Sequence, residues 1–212
     1  MAGLRERKKR QTRQHLADVA MGLFLERGFD AVTVAEVAEA AEVSVNTVYN
    51  YFPAKEDLFL QEEEEFVERP SARVRRRRPG ESAAEAILRG LRQDIADRSP
   101  WTGLAENYHR FVRVAFGSST LMARLMRMQH QTSQRLAETL REEAHAKPDD
   151  HVPDLIASHL MLLQGEIFRT AGVCAMDGAP LATTARLMLE KLDTAEMLMS
   201  ARVLNYARRP EG

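Results

Sequence analysis

Between Gln11 and Arg27 the apolar residues Leu16, Val19, Ala20, Leu23 and Phe24 fall at steps of three and four, which predicts a helix with one buried face, stopped by Gly28. A second periodic run begins at Val34, where Val37, Ala38 and Ala41 share a stripe while Glu36, Glu39 and Glu42 turn away. Thr33 precedes it with Glu36 three residues on, the spacing of a capping box. Ser44 caps a third helix, Val45 to Phe52, in which Val48 and Phe52 face inward until Pro53 ends it. A fourth helix from Lys55 to about Val67 buries Leu58 and Phe59; Pro70, Arg73, the run Arg75 to Arg78, Pro79 and Gly80 then predict a mobile, solvated loop. From Ser82 onward the signals are helical only, over Ser82–Asp97, Pro100–Phe116, Ser119–Ala146, Val152–Met176 and Leu181–Ala207. The pattern predicts an all-α chain.

The third helix carries the most specific chemistry. Asn46, Thr47, Tyr49, Asn50 and Tyr51 project around the face that Val48 and Phe52 leave free. Amides and hydroxyls suit base edges and phosphates, and tyrosine adds a ring for thymine methyls, so two short helices joined by a tight turn and bearing this set read as a helix-turn-helix that meets DNA. Lys55 lies in the first turn of the next helix, where its cation opposes the helix dipole by about 0.3–1 kcal/mol. An external anion, such as a DNA phosphate held by the ammonium and the free backbone amides, accounts for it best.

Residues 28–58, GFDAVTVAEVAEAAEVSVNTVYNYFPAKEDL, resemble the DNA-binding signature of the tetracycline-repressor (TetR) family. The resemblance implies a phosphate-contacting cap at Thr33, a recognition helix at Val45–Tyr51 behind its cap Ser44, and phosphate anchors at Tyr51 and Lys55. It also implies a three-helix DNA-binding domain over residues 1–54, followed by a larger helical ligand-binding and dimerisation domain over residues 55–212. Two positions depart from the family pattern: Glu42 replaces a glycine in the turn, and Ala54 stands where a capping serine is usual.

Composition adds three points. The formal charge of −1 conceals a basic start, Arg5, Arg7, Lys8, Lys9, Arg10 and Arg13 against Glu6 alone, set apart from the acidic block Glu62–Glu65. That start reads either as an arm for DNA phosphates or a minor groove, or as a solvated tail. No apolar core follows those charges as in a secretory signal and no segment is apolar enough to span a membrane, so no membrane partner and a cytoplasmic location are expected. Cys174 is the only cysteine, which suits a reducing compartment.

In the last helix Leu181, Ala185, Met188, Leu192, Ala195 and Met199 alternate steps of four and three; the helix before it carries Ile156, Leu160, Leu163, Ile167, Ala171 and Cys174. Together they predict a four-helix homodimer interface, the alternative being that they close the subunit's own core. Trp101, Tyr108, Phe111, Met122, Met126 and Phe168 are the candidate walls of an apolar cavity of roughly 300–1,000 Å3, with Asn107, His109, His130, Gln164 and Glu166 to orient an occupant. The resemblance implies a small effector there, whose binding alters the spacing of two DNA-reading heads. The histidines lack metal-ligand spacing, and no nucleophile elbow or phosphate-cradling loop is present, so no cofactor, metal or enzymatic activity is expected. The sequence thus reads as a transcription regulator, a repressor of a near-palindromic double-stranded operator released by a small hydrophobic effector. Competing readings are a DNA-binding or architectural factor without an inducer, and a helical small-molecule binding or catalytic protein with a vestigial motif.

Overall fold

The computed structural model describes residues 2–211, and the elements among them are helices and turns without strands. They form two compact units, one from the N-terminal residues up to Glu63 with Arg110–Leu125, the other from Glu64–His109 with the residues from Met126 on. No helix among the described residues is long and apolar enough to cross a membrane.

Unit 1 opens with α1, Ala2–Arg27. The expected start at Gln11 is thereby corrected: the basic residues Arg5 to Arg13 are helical and exposed rather than an irregular tail. Leu16, Ala17, Ala20 and Phe24 are buried against Val37 and Ala38 of α2 (Val34–Ala40), Val48 of α3 (Val45–Tyr51), and Leu58 and Phe59 of α4 (Lys55–Phe59). Rings from Phe24, Phe29 and Phe59 meet at 5.0–6.2 Å, and Phe111 stacks on Phe59 at 4.6 Å.

Unit 2 takes up the chain from Glu64, within α5, Glu63–Arg75. The single helix expected from Lys55 to Val67 breaks at Leu60–Glu62, and most of the expected loop is helical with Pro70 inside it. Pro70 has no N–H, so the Phe66 carbonyl loses its usual helical donor. Side-chain charge compensates. Arg69 and Arg73, one turn apart, both hydrogen-bond to Asp94 of α6 (Ala83–Ala96), Arg69 at 2.6 Å. Arg75 pairs with Glu68 and donates to Thr139 of α8 (Ser119–Glu143) at 2.9 Å. Arg77, 3% exposed, pairs with Glu143 and donates to the carbonyls of Val74 and Ala207. Arg75 and Arg77 are therefore structural, and only Arg76 and Arg78 of the run are exposed. Arg73 also needs Gly90: a Cβ there would lie 2.5 Å from its Nε.

The connector after α6 holds a 3-10 turn, Pro100–Thr102, and α7 runs only over Tyr108–Gly117, so the expected helix from Pro100 is interrupted. Gly103 is left-handed (φ 73°), and a side chain there would strike the ring of Tyr108. Helix α9, Val152–Met176, matches its expected span. Helix α10, Leu181–Leu198, ends at Met199 before a short α11, Ala201–Leu204, capped by Ser200; the expected continuous helix to Ala207 is broken there.

The two stripes offered as a dimer seam are the subunit's own core. Met188 and Leu192 are fully buried and Met199 nearly so, packed in one cluster with Ile156, Leu160, Leu163, Ile167 and Ala171. The opposite face of α9 is the exposed one, with Leu155, Leu162, Val173 and Met176 each at least half in solvent.

Removing Asp94 would leave the Arg69 and Arg73 guanidinium groups facing one another without their carboxylate. Asp94→Ala is expected to cost about 3 kcal/mol, the lower end for a broken buried pair because Arg69 is partly exposed. Arg186→Ala, which breaks the solvent-exposed pair with Glu190, costs under about 0.5 kcal/mol. Urea unfolding followed through Trp101 emission measures both.

Candidate functional site

The start of α2 is built as the sequence spacing predicts. Thr33 is extended, its hydroxyl accepts from the Glu36 amide at 3.2 Å, and Glu36 Oε2 accepts from the Thr33 amide at 2.7 Å and hydroxyl at 2.8 Å. Arg27 donates to Glu36 Oε1 at 2.6 Å. The Thr33 backbone amide first, then Arg27, then the Thr33 hydroxyl hold the Glu36 carboxyl down at about 2, against an ordinary 4.5. Thr33 is exposed while its hydroxyl serves the cap.

The turn between α2 and α3 is a complete Schellman motif: the Val43 amide bonds to the Ala38 carbonyl at 2.9 Å and the Glu42 amide to the Glu39 carbonyl at 3.0 Å. Glu42 occupies its left-handed position (φ 55°). A side chain there costs about 1 kcal/mol relative to glycine, and the two hydrogen bonds together with half-buried Val43 hold it in place.

Ser44 caps α3 through the Thr47 amide at 3.0 Å, and its hydroxyl also pairs with the Thr47 hydroxyl at 2.8 Å. Val48 and Phe52 are buried. Ser44, Val45, Asn46, Tyr49 and Asn50 are exposed together, Tyr49 by 48%, while Thr47 and Tyr51 are half-buried. Arg13 Nη1 donates to the Tyr51 carbonyl at 2.6 Å, with its guanidinium 4.2 Å above the Phe52 ring. This brace between α1 and the end of α3 went unread in the sequence, although Arg13 belongs to the basic run that drew attention.

Lys55 is placed differently from its expected role. Its ammonium donates to the Phe29 carbonyl at 2.6 Å and sits 4.2 Å above the Phe29 ring, and burial lowers its pKa against the opposing pull of Asp30, Glu56 and Glu36. An internal acceptor therefore accounts for a cation at this helix start. Ala54 offers no side-chain cap, and Asp57 instead accepts from the Ala54 amide at 2.9 Å.

The six candidate cavity residues do not converge. Trp101 and Phe168 meet Phe66 in unit 2, with ring centroids 6.2 and 5.6 Å away, and Gln164 lines the same spot. Tyr108 packs on the core of that unit, and burial raises its phenol pKa. Phe111 stacks in unit 1, Met122 also belongs to unit 1, and Met126 is 64% exposed. The space beside Trp101 and Phe168 is about 10 Å3, room for about one water rather than the few hundred Å3 expected. A larger hollow of about 470 Å3 is open and charged, lined by the pairs Arg89–Glu81, Arg92–Glu196 and Arg208–Glu85. Of the polar groups expected to orient an occupant, Glu166 is engaged with Arg169 and Lys191, whereas Asn107 and His130 are exposed.

Residues 16–61 match the family model described as bacterial regulatory proteins, tetR family. Over 58 residues the chain is 45% identical to the HTH-type transcriptional regulator TcmR of Streptomyces glaucescens, covering 27% of this chain and 26% of that protein. Over 61 residues it is 39% identical to the HTH-type transcriptional regulator AcrR of Shigella flexneri, covering 29% and 28%. The matched stretch thus spans about a quarter of the length of these curated relatives. Among solved structures, NalD, the secondary repressor of the MexAB-OprM multidrug efflux pump in Pseudomonas aeruginosa, aligns over 88% of this chain and 97% of its own with a TM-score of 0.58 and 18% identity. FadR from Bacillus subtilis in complex with stearoyl-CoA aligns over 86% and 98%, with a TM-score of 0.54 and 19% identity. At these identities the likeness concerns the fold.

The Glu36 geometry sets a pH dependence. A carboxyl held below its unfolded value contributes stability that is in place above 4.5 and is lost as pH falls from there through about 2. The melting temperature of wild type should exceed that of Glu36→Gln near neutral pH, and the gap should close between pH 4.5 and 2 in circular-dichroism melts.

Proposed function

This chain belongs to the tetR family of bacterial regulatory proteins, and from that premise we propose a homodimeric repressor that reads a near-palindromic operator and releases it when a small hydrophobic effector binds unit 2. Residues 1–54 carry the reading part and residues 55–212 the effector and dimer part, with 55–63 and 110–125 supporting the reading part in unit 1. The observation that carries the reading is the exposed set on a firmly capped α3. Val48 and Phe52 anchor the helix from behind, Ser44 and Arg13 fix its two ends, and Tyr49, Asn46, Asn50 and Val45 are left free for the major groove. Thr33, Thr47 and Tyr51 flank that set and serve phosphates. Lys55 keeps its proposed phosphate role only if its ammonium leaves the Phe29 carbonyl on DNA. The exposed basic residues of α1 add sequence-independent attraction. FadR, similar in fold and solved with stearoyl-CoA, supports the effector part of the proposal.

The exposed face of α9 supports the dimer. Leu155, Leu162, Glu166, Arg169, Val173 and Met176 lie along it, with Leu155 and Met176 equally far along the chain from Gly165–Glu166, and Leu162 and Arg169 likewise. A two-fold axis crossing the helix there brings apolar ends onto one another and Glu166 near the partner's Arg169.

Selection from a random duplex pool tests the reading: an inverted repeat should emerge, and enrichment of no sequence would overturn it. On the selected duplex, Tyr49→Ala should weaken binding by about 1–3 kcal/mol and relax base preference while leaving the melting temperature unchanged.

Leu162→Glu should leave a folded chain that sediments as a 24.0 kDa monomer where wild type sediments at twice that mass. Leu192→Glu, which places the charge in the subunit core, should unfold instead. Sedimentation velocity with circular dichroism separates the two.

A further inference from the structure

We propose that the spot enclosed by Phe66, Trp101 and Phe168 in unit 2 is the closed form of a binding site for planar aromatic carboxylates, with Arg69 taking the anionic head. The inference rests on reading unit 2 as the effector-binding part, and it names the chemistry of the effector.

Charge is the first ground. Arg69 and Arg73 share the single carboxylate of Asp94, so the lining holds one more cation than anion. Glu65, 3.9 Å from Arg69 and mostly in solvent, offsets it only weakly. Burial lowers the Arg73 pKa against the pull of Asp94, and the neighbouring cations Arg69 and Arg89 add to the lowering. The surplus is one charge, which fits a monoanion.

An unmet donor is the second. Arg69 Nε is buried and has no hydrogen-bond partner. A buried donor left unpaired is costly, and an incoming carboxylate oxygen would satisfy it with a charge-assisted bond.

Shape is the third. Phe66 and Trp101 are tilted by 43° and Phe66 and Phe168 by 42°, so the rings touch without stacking, while the Arg69 guanidinium lies 5.1 Å above the Trp101 ring. A flat ring slid among them gains stacked contacts that the closed arrangement lacks. The space now present is about 10 Å3, so entry requires Trp101 to move. Trp101 sits in the connector between α6 and α7, where Arg98, Gly103 and Asn107 are all left-handed, and this segment can shift without breaking a long helix.

Calorimetric titration of the full chain with biphenyl-4-carboxylate, its neutral carboxamide and decanoate provides the test, with the emission of Trp101, the chain's one tryptophan, followed in parallel. The carboxylate is expected to bind once per chain and alter Trp101 emission, with the carboxamide and decanoate each at least about tenfold weaker. Arg69→Lys keeps a cation beside Asp94 and removes the Nε donor. It should weaken the carboxylate about tenfold and the carboxamide far less, with circular dichroism verifying that the variant stays folded at the titration temperature. Equal binding of acid and amide, equal binding of decanoate, or no binding of the biphenyl acid overturns the proposal. Operator affinity is measured separately: binding that leaves it unchanged keeps the site and overturns effector-controlled release instead.

Discussion

Helix α5 has little to offer a hydrophobic core, and charge holds it in place. Arg69 and Arg73, one turn apart on it, meet Asp94, and Arg77 just past its end meets Glu143, while Arg75 and Glu68 engage α8 through Thr139 and Arg135. Helices α6 and α8 then bring apolar residues of their own, Ile87, Leu88, Leu91, Leu136 and Leu140, into the cluster completed by α9 and α10. Because Arg69, Arg73 and Asp94 line the same small space as Phe66, Trp101 and Phe168, the bonds that dock α5 also set the polarity of the spot beside Trp101. Buried charge of this kind adds little net stability over apolar packing, and its removal in halves is severe.

Unit 1 follows a different principle, in which nearly every bond that shapes the reading surface is local. The capping box at Thr33, the Schellman turn through Glu42 and the Ser44 cap each close within a few residues. That is why this part was legible in the sequence: the capping spacings and the apolar stripe of α2 specify geometry without reference to distant partners. Even the departures from the family pattern could be located, since Glu42 does adopt the left-handed conformation and Ala54 does lack a side-chain cap. The internal acceptor of Lys55, the Phe29 carbonyl, was not legible because it lies 26 residues away.

The same distinction explains the misses in unit 2. Pro70 and a run of arginines are loop signals when judged locally; Asp94, which holds Arg69 and Arg73 on the helix, and Glu143, which holds Arg77 just past its end, are both remote in sequence. Helix α9 is apolar on two sides, so periodicity marked the inward stripe of Ile156, Leu160 and Leu163, while the exposed one of Leu155, Leu162 and Val173 emerged only from packing. Enrichment in methionine and aromatic residues located Trp101 and Phe168 but could not distinguish them from Phe111, which stacks on Phe59, or from exposed Met126.

Gly90 carries a consequence for how this chain can diverge. Glycine in the middle of a helix ordinarily invites replacement by alanine, a gain of about 1 kcal/mol, yet here the Arg73 side chain fills the space a methyl group would need. Shortening Arg73 would free that space but leave Asp94 with one cation instead of two. Positions 73, 90 and 94 are thus coupled through space and charge, so that a side chain at one restricts what the other two can hold.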